Sequence, residues 1–381
     1  MKIVLSGIET NNKGAELMLY AILQEIDRKF PEAEVFVPVF AIKQGLKYIK
    51  TSVNLKEKPY ASLKRTAAKL HISGILRRLH LPYLFLKDTG IIKDANYFID
   101  ASGFAFSDQW NPNDECVKIW EYVLKGYHKQ STKIVFLPQA FGPVEKPNTK
   151  RLIALLNQYA DIIMPREKVS LHYLRQCNVD ESKLHLFTDF TSLVNGEFPP
   201  QYGYLKNAVC IIPNMRMIDK GVIGMKNYLN ILTKIVAMSQ SMGHKVFLLN
   251  HEGAGDEQLA FRCKEKINGN IDVVTGLNAL EVKGLIASSY LCISSRFHGV
   301  ASALNSCVPC LATSWSHKYA ELFKDYGMND CVLDLNDTEE YTSKILSFLE
   351  NEHNYMIRKL LKTKKSEITE ETKEMWKQVW S

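Results

Sequence analysis

The chain has 381 residues, 46% of them apolar and 23% charged, with a formal net charge of +7. That length favours two domains over one, and the balance is that of a globular protein rather than a disordered or fibrous one. No apolar run reaches the roughly 20 residues a membrane-spanning helix needs, and residues 1–7 turn polar too soon for a secretory signal; the sequence therefore reads as cytoplasmic.

Residues 2–6 form a short apolar strand, and 14–26 place apolar side chains at helical spacing. Residues 34–40 read as the next strand. Between Lys43 and Lys93, twelve lysines and arginines face only Glu57 and Asp88, so an excess of +10 is concentrated there and the rest of the chain is slightly acidic. Within this basic insertion, residues 61–82 mix leucines with cations at helical spacing. The pattern suits a helix lying on an anionic membrane surface, and equally a solvated helix with one core stripe. No aromatic platform or nucleic-acid motif accompanies the charge, which argues against a nucleic-acid partner.

Residues 97–100 and 133–137 read as buried parallel strands bounded by helical patterns, and 161–164 and 184–187 continue the series. Such βαβ alternation implies a mostly parallel sheet covered on both faces. Residues 195–203 are proline, glycine and polar residues without periodicity, as in a linker. A second series follows, with strands at 208–212, 245–249, 271–274, 291–293 and 309–313 and a long helix around 228–242. The organisation predicted is an α/β domain over 1–195 carrying the basic insertion 43–93, a second over 204–336, and a helical tail over 337–381.

Eight cysteines are scattered, several inside apolar runs where a reduced thiol acts as a small core side chain. Cys307-Val-Pro-Cys310 has redox spacing, yet it follows a helix and enters a strand, whereas a redox pair opens a helix. No second ligand pair at zinc spacing appears, and no metal is expected. A Walker A loop, a G-x-G-x-x-G turn, a nucleophile elbow and an Asp-x-Asp pair are all missing, which weighs against kinases, dehydrogenases and ordinary hydrolases.

The chemistry-bearing residues lie where strands end. Arg296 and His298 follow the apolar run 291–293, and Gly299 opens a small-residue helix. A cation and an imidazole beside a helix N-terminus suit a phosphate or carboxylate, at the strand end where open α/β sheets bind ligands. The plainer alternative pairs Arg296 with a local carboxylate and leaves His298 capping its helix. After the first strand, Asn11 or Asn12 can cap the next helix and Gly14 lets a ligand approach the backbone; capping alone accounts for them equally well. Gln139 is presented by a rigid turn, and Arg166 is a second strand-end cation for which a salt bridge is the plain alternative.

Together these loops resemble the polysaccharide pyruvyl transferase family over residues 2–330. The resemblance rests on Asn12-Lys-Gly14, Leu137-Pro-Gln139 with Gly142-Pro143, Arg166-Glu167 with Ser170, Asp189, and Ser295-Arg-Phe-His-Gly299 with Val308-Pro309. The chain departs from relatives at Ser102-Gly-Phe104, where consecutive glycines are common. The resemblance implies an α/β fold of two Rossmann-like domains facing across a cleft, similar to GT-B glycosyltransferases; the helical C-terminal tail read from the sequence, like the basic insertion, carries no motif of the family. It implies transfer of a pyruvyl group from phosphoenolpyruvate, as co-substrate and without a cofactor, onto two hydroxyls of a sugar as a ketal. The acceptor would be a cell-surface glycan or its lipid-linked precursor, reached at the inner membrane face. On this reading Arg296 and His298 are catalytic, and Arg166, Arg296, His298, Gly299 and Lys318 bind the donor. Asn12, Gly14, Glu16, Asp100 and Gln139 serve the acceptor. Two rivals remain open: a GT-B glycosyltransferase using a nucleotide-sugar, and a catalytically idle membrane-surface or assembly protein on the same fold.

Overall fold

In the computed structural model, which describes residues 1–38, 41–58, 90–267, 271–313 and 317–381, the run Ile3-Val4-Leu5 is wholly buried. A strand covered on both faces has no solvent side, so its sequence is continuously apolar rather than alternating. This strand, β1 (Lys2–Ser6), pairs in parallel with β2 (Glu34–Val37) on one side and β4 (Tyr97–Asp100) on the other. With β3 (Asn54–Glu57), β5 (Lys133–Gln139) and β6 (Ile162–Pro165) it makes a parallel sheet of order β3-β2-β1-β4-β5-β6. Helices α1 (Lys13–Lys29), α2 (Asp114–His128), α3 (Pro147–Tyr159) and α4 (Lys168–Gln176) belong to the same run. Asn113 starts α2 by accepting a hydrogen bond from the Cys116 N–H, satisfying one donor the first turn cannot bond internally.

A second parallel sheet is built from β7 (Val209–Ile212), β8 (Val246–Leu249), β9 (Asp272–Val274), β10 (Leu291–Ser294) and β11 (Cys310–Ala312), in the order β11-β10-β7-β8-β9. Its helices are α5 (Arg216–Asp219), α6 (Met225–Ser241), α7 (Gly253–Lys266), α8 (Ala279–Ala287), α9 (Phe297–Asn305) and α10 (His317–Asp325). Counted from its own first strand, each sheet runs third, second, first, fourth, fifth, and the first sheet adds a sixth. Both therefore have a topological switch point, between β1 and β4 and between β7 and β10, outside which ligands bind in such folds. The tail is helical as expected: α11 (Thr338–Leu349), capped by Asp337, and α12 (Asn351–Trp380).

The chain forms two units, one of Met1–Thr10, Met18–Asp189 and Met375–Ser381, the other of Asn11–Leu17 and Phe190–Glu374. Trp380 belongs to the first, where it lies edge-on to Phe30 and Tyr97 with centroids 5.3 and 5.2 Å away. Residues 195–203 lie inside the second, where the Glu197 N–H bonds to the Leu280 carbonyl at 2.9 Å.

Two strand expectations change. Residues 184–187 form only an isolated bridge, Ile163↔Leu184. The chain there runs beside β6 between two 3-10 turns, with the His185 N–H bonding to the Ile163 carbonyl at 3.1 Å and the Phe187 N–H to the Pro165 carbonyl at 3.3 Å, and forms no strand of its own. Conversely, β3 escaped sequence reading because it is a half-exposed edge strand, Asn-Leu-Lys-Glu, with no apolar run to betray it. It lies within the basic insertion; the amphipathic stretch 61–82 is outside the described residues, as are residues 39–40 of the expected second strand.

Candidate functional site

In the second unit the loops after β7, β10 and β11 are tied through one residue. The Ser295 hydroxyl bonds to the Tyr228 hydroxyl at 2.6 Å and to Thr313 Oγ1. The Ser295 carbonyl accepts from Asn214 Nδ2 at 2.8 Å and from the Tyr319 hydroxyl at 2.9 Å. Burial pushes the Tyr228 phenol up to about 12, so it acts as a neutral hydrogen-bonding strut. Next along the chain, Ser294 Oγ accepts from the Arg296 N–H at 3.0 Å and donates to the Arg296 carbonyl at 2.9 Å. This fixes Arg296 as the N-cap of α9, so the helix opens at Phe297 rather than at Gly299. Gly299 has a packing reason: a Cβ there would fall 2.4 Å from Ser294 Oγ and 2.9 Å from Ile212 Cδ1. Glycine lets α9 settle on the ends of β7 and β10.

The Arg296 side chain is 13% exposed. Its Nε donates to Asp256 Oδ2 at 2.8 Å and its Nη2 to Asp256 Oδ1 at 2.7 Å, a bidentate fork, while Nη1 donates to the Glu252 carboxylate. Asp256 Oδ1 also accepts the Met215 N–H at 2.9 Å. Sequence reasoning left open whether Arg296 had a carboxylate partner; the fold supplies two.

Residues 11–17 cluster with this unit and bring Gly14 against His298. A Cβ on Gly14 would lie 2.1 Å from His298 Nδ1, so the absence of a side chain admits the imidazole. Asn12 shapes the approach: its Oδ1 accepts the Gly14 N–H at 2.9 Å, and it forms an antiparallel bridge with Glu252. His251, at the end of β8, is 3% exposed. Burial, with Arg296, His298 and Lys13 nearby, holds its pKa well below the ordinary imidazole value, leaving it neutral. Glu16 is fully buried, accepting from Lys13 Nζ at 2.6 Å and from the Ala279 N–H at 3.1 Å. It thus stabilises the N-terminus of α8 beside the Asn278–Glu281 capping box. Lys318 lies over the Phe297 and Tyr319 rings, 5.5 and 5.7 Å from their centroids.

The first unit has its own strand-end cluster. Asp100 is wholly buried and accepts from the Ser102 N–H at 3.1 Å, Ser102 Oγ at 3.0 Å and Gln139 Nε2 at 3.2 Å. Burial outweighs these bonds and raises its carboxyl pKa. Arg166, 6% exposed, faces buried Asp189 at 3.7 Å, and its N–H bonds to the Gln139 carbonyl at 3.0 Å. Ser170 Oγ accepts the Phe141 N–H at 2.7 Å and donates to Glu167.

The ten residues singled out from sequence thus fall into two groups. Asn12, Gly14, Glu16, Arg296, His298, Gly299 and Lys318 belong to the second unit; Asp100, Gln139 and Arg166 belong to the first. His251 and Glu252 were missed although they follow a strand, as the other picks do. Asp256, a turn into α7, gave no signal. Cys310 is a buried thiol in register with Cys292 of β10, itself in register with Cys210 of β7. Among the described residues no group of three or more His, Cys, Asp or Glu could hold a metal ion, and no helix is long and apolar enough to cross a membrane.

Among solved structures the chain is similar to a putative UDP-N-acetylglucosamine 2-epimerase from Listeria monocytogenes, with 13% identity, coverage of 93% of this chain and 90% of that one, and a TM-score of 0.60. It is also similar to Anabaena HepE in complex with UDP and glucose, with 12% identity, coverage of 100% and 98%, and a TM-score of 0.58. At these identities the likeness shows the fold, which is α/β with two parallel sheets and GT-B-like. No curated protein matches the chain. The family model described as polysaccharide pyruvyl transferase matches residues 12–317, from the Asn12 turn through the Arg296–His298 turn to the start of α10. That match spans most of the sequence and every strand after β1, and the chain belongs to the polysaccharide pyruvyl transferase family.

Proposed function

We propose that this protein transfers a pyruvyl group from phosphoenolpyruvate to two hydroxyls of a sugar, in a cell-surface glycan or its lipid-linked precursor, forming a cyclic ketal and releasing phosphate. The observation that carries the reading is the Arg296–His298 turn at the β7/β10 switch point, in a chain of this family. An anionic donor needs a cation in fixed geometry, and Arg296 is held by Asp256 through two parallel bonds. The N-terminus of α9, which lacks a side-chain cap, adds oriented N–H dipoles for a phosphate or carboxylate.

The reaction protonates the methylene carbon of the enol, adds one hydroxyl to the neighbouring carbon, expels phosphate, and adds the second hydroxyl with loss of its proton. A positioned imidazole can deliver the first proton or accept a hydroxyl proton, and His298 holds that place. His251, kept neutral by burial, supplies a polar wall without a competing charge. Arg166 and Lys318 remain further donor candidates, and Asn12, Gly14, Asp100 and Gln139 remain acceptor candidates. Glu16, committed to Lys13 and α8, acts by holding the Gly14 turn.

A nucleotide-sugar enzyme is the second reading, because the similar Anabaena protein was solved with UDP. Thermal melts with phosphoenolpyruvate and with UDP-sugars separate the two. A ligand bound only by the folded state at a hundred times its dissociation constant adds about 2.7 kcal/mol. Stabilisation by phosphoenolpyruvate, with phosphate release dependent on a glycan acceptor, is the expected result. His298→Gln should cut that release on the order of 10²-fold and leave the melt nearly unchanged. Stabilisation by UDP-sugars alone would replace this reading with the second.

A further inference from the structure

We infer that Glu252 is a displaceable carboxylate: it occupies the edge of the Arg296 guanidinium that a substrate anion takes, while Asp256 holds the other edge permanently. Two observations separate the carboxylates. Asp256 is 1% exposed, uses both oxygens on Nε and Nη2, and is pinned by the Met215 N–H as well. Glu252 is 24% exposed, bonds the guanidinium through Nη1, and sits at the loop end that precedes α7.

The geometry of arginine makes the consequence specific. A guanidinium offers a limited fork of N–H groups, and each carboxylate or phosphate takes one edge of it. Asp256 fills the Nε/Nη2 edge. The edge left for an incoming anion is the one carrying Nη1, where Glu252 lies. Charge enforces the same exchange. Two carboxylates already face one cation, and a further anion brought beside Glu252 is repelled by its charge. The anion and the Glu252 carboxylate therefore exclude one another on Arg296.

Glu252 is thus a specificity-determining residue. It screens the arginine from neutral ligands, which cannot compete with a carboxylate, and yields to phosphate- or carboxylate-bearing ones. Its own backbone bridges Asn12, so the exchange takes place beside the turn that carries Gly14 and faces His298.

The inference rests on an anionic substrate binding at Arg296, but not on which one. Titration calorimetry with phosphoenolpyruvate, inorganic phosphate and UDP on the full chain, its Glu252→Gln variant and its Asp256→Asn variant tests it. Glu252→Gln should bind the anion about tenfold more tightly, and Asp256→Asn at least tenfold more weakly, with melts recorded to confirm folding. Unchanged or weaker binding by Glu252→Gln would overturn the inference while leaving the pyruvyl transfer reading intact if phosphoenolpyruvate still binds the full chain. Binding of UDP but not phosphoenolpyruvate would remove that reading, and the response of UDP to Glu252→Gln would then decide the inference. Failure of all three anions with the full chain and both variants would overturn both.

Discussion

The two units carry polar clusters at equivalent places, the carboxyl ends of parallel strands beside a switch point, yet they use them differently. In the first unit Asp100, Gln139, Arg166, Glu167, Ser170 and Asp189 are all at most 6% exposed, with Gln139 bonded to Asp100, Arg166 facing Asp189 and Ser170 bonded to Glu167. In the second, Arg296 and Glu252 keep 13% and 24% of their side chains exposed, and His298 is only partly buried. A buried polar network that satisfies itself fixes a scaffold. One that leaves charged edges partly in solvent can exchange partners. The same topology thus buries its polar groups in one half and leaves charged edges partly in solvent in the other.

Three changes bear on that contrast. The largest effect is expected from Asp189→Ala, which leaves the Arg166 cation buried and deprived of its acid. Breaking a buried pair from one side costs about 3–5 kcal/mol, to be read as a lower urea midpoint. Stability within about 0.5 kcal/mol of the parent, as for ordinary surface positions, would mean the first cluster is as exchangeable as the second. A smaller loss, about 1–3 kcal/mol for overpacking, is expected from Gly14→Ala, whose Cβ collides with His298. Here the discriminating readout is activity: turnover should fall further than the melt, because the imidazole itself is displaced.

The smallest effect concerns His251 and its sign can be fixed in advance. The folded protein holds this imidazole neutral, with a pKa below the ordinary value. Unfolding therefore takes up a proton once the pH is below about 6.5. Its contribution to stability is complete above that pH and is lost as pH falls toward the depressed folded pKa, by about 1.4 kcal/mol per pH unit. The advantage of the parent over His251→Asn in chemical melts should accordingly shrink from pH 7.5 to pH 5.5. A constant difference would show that His251 takes up its proton over the same pH range in the folded and the unfolded chain.

Much of the fold was legible because buried parallel strands must be apolar throughout. Val209-Cys-Ile-Ile212 and Leu291-Cys-Ile-Ser294 announce themselves, and the turn after the latter was readable because arginine, histidine and glycine crowd a strand end. The edge strand β3 was not, since an edge needs charge rather than apolar side chains. The site was legible in its cations and not in their partners. Asp256 lies 40 residues before Arg296, a separation no local pattern spans. Glu16 was readable as a carboxylate near a ligand loop, but its engagement with the Ala279 N–H, 263 residues away, depends wholly on tertiary packing.

The order in which the chain contributes to its units has a practical meaning for anyone building hybrids. Neither unit is one continuous stretch: the second borrows Asn11–Leu17 from near the start, and the first recovers Met375–Ser381 from the end. A single crossover at Asp189/Phe190 therefore does not exchange modules between relatives. It would deliver Arg296 and His298 from one parent and Gly14, the glycine that admits the imidazole, from the other. Functional chimeras require four junctions, with the short turn after the first strand travelling alongside the second half and the closing tryptophan helix end with the first.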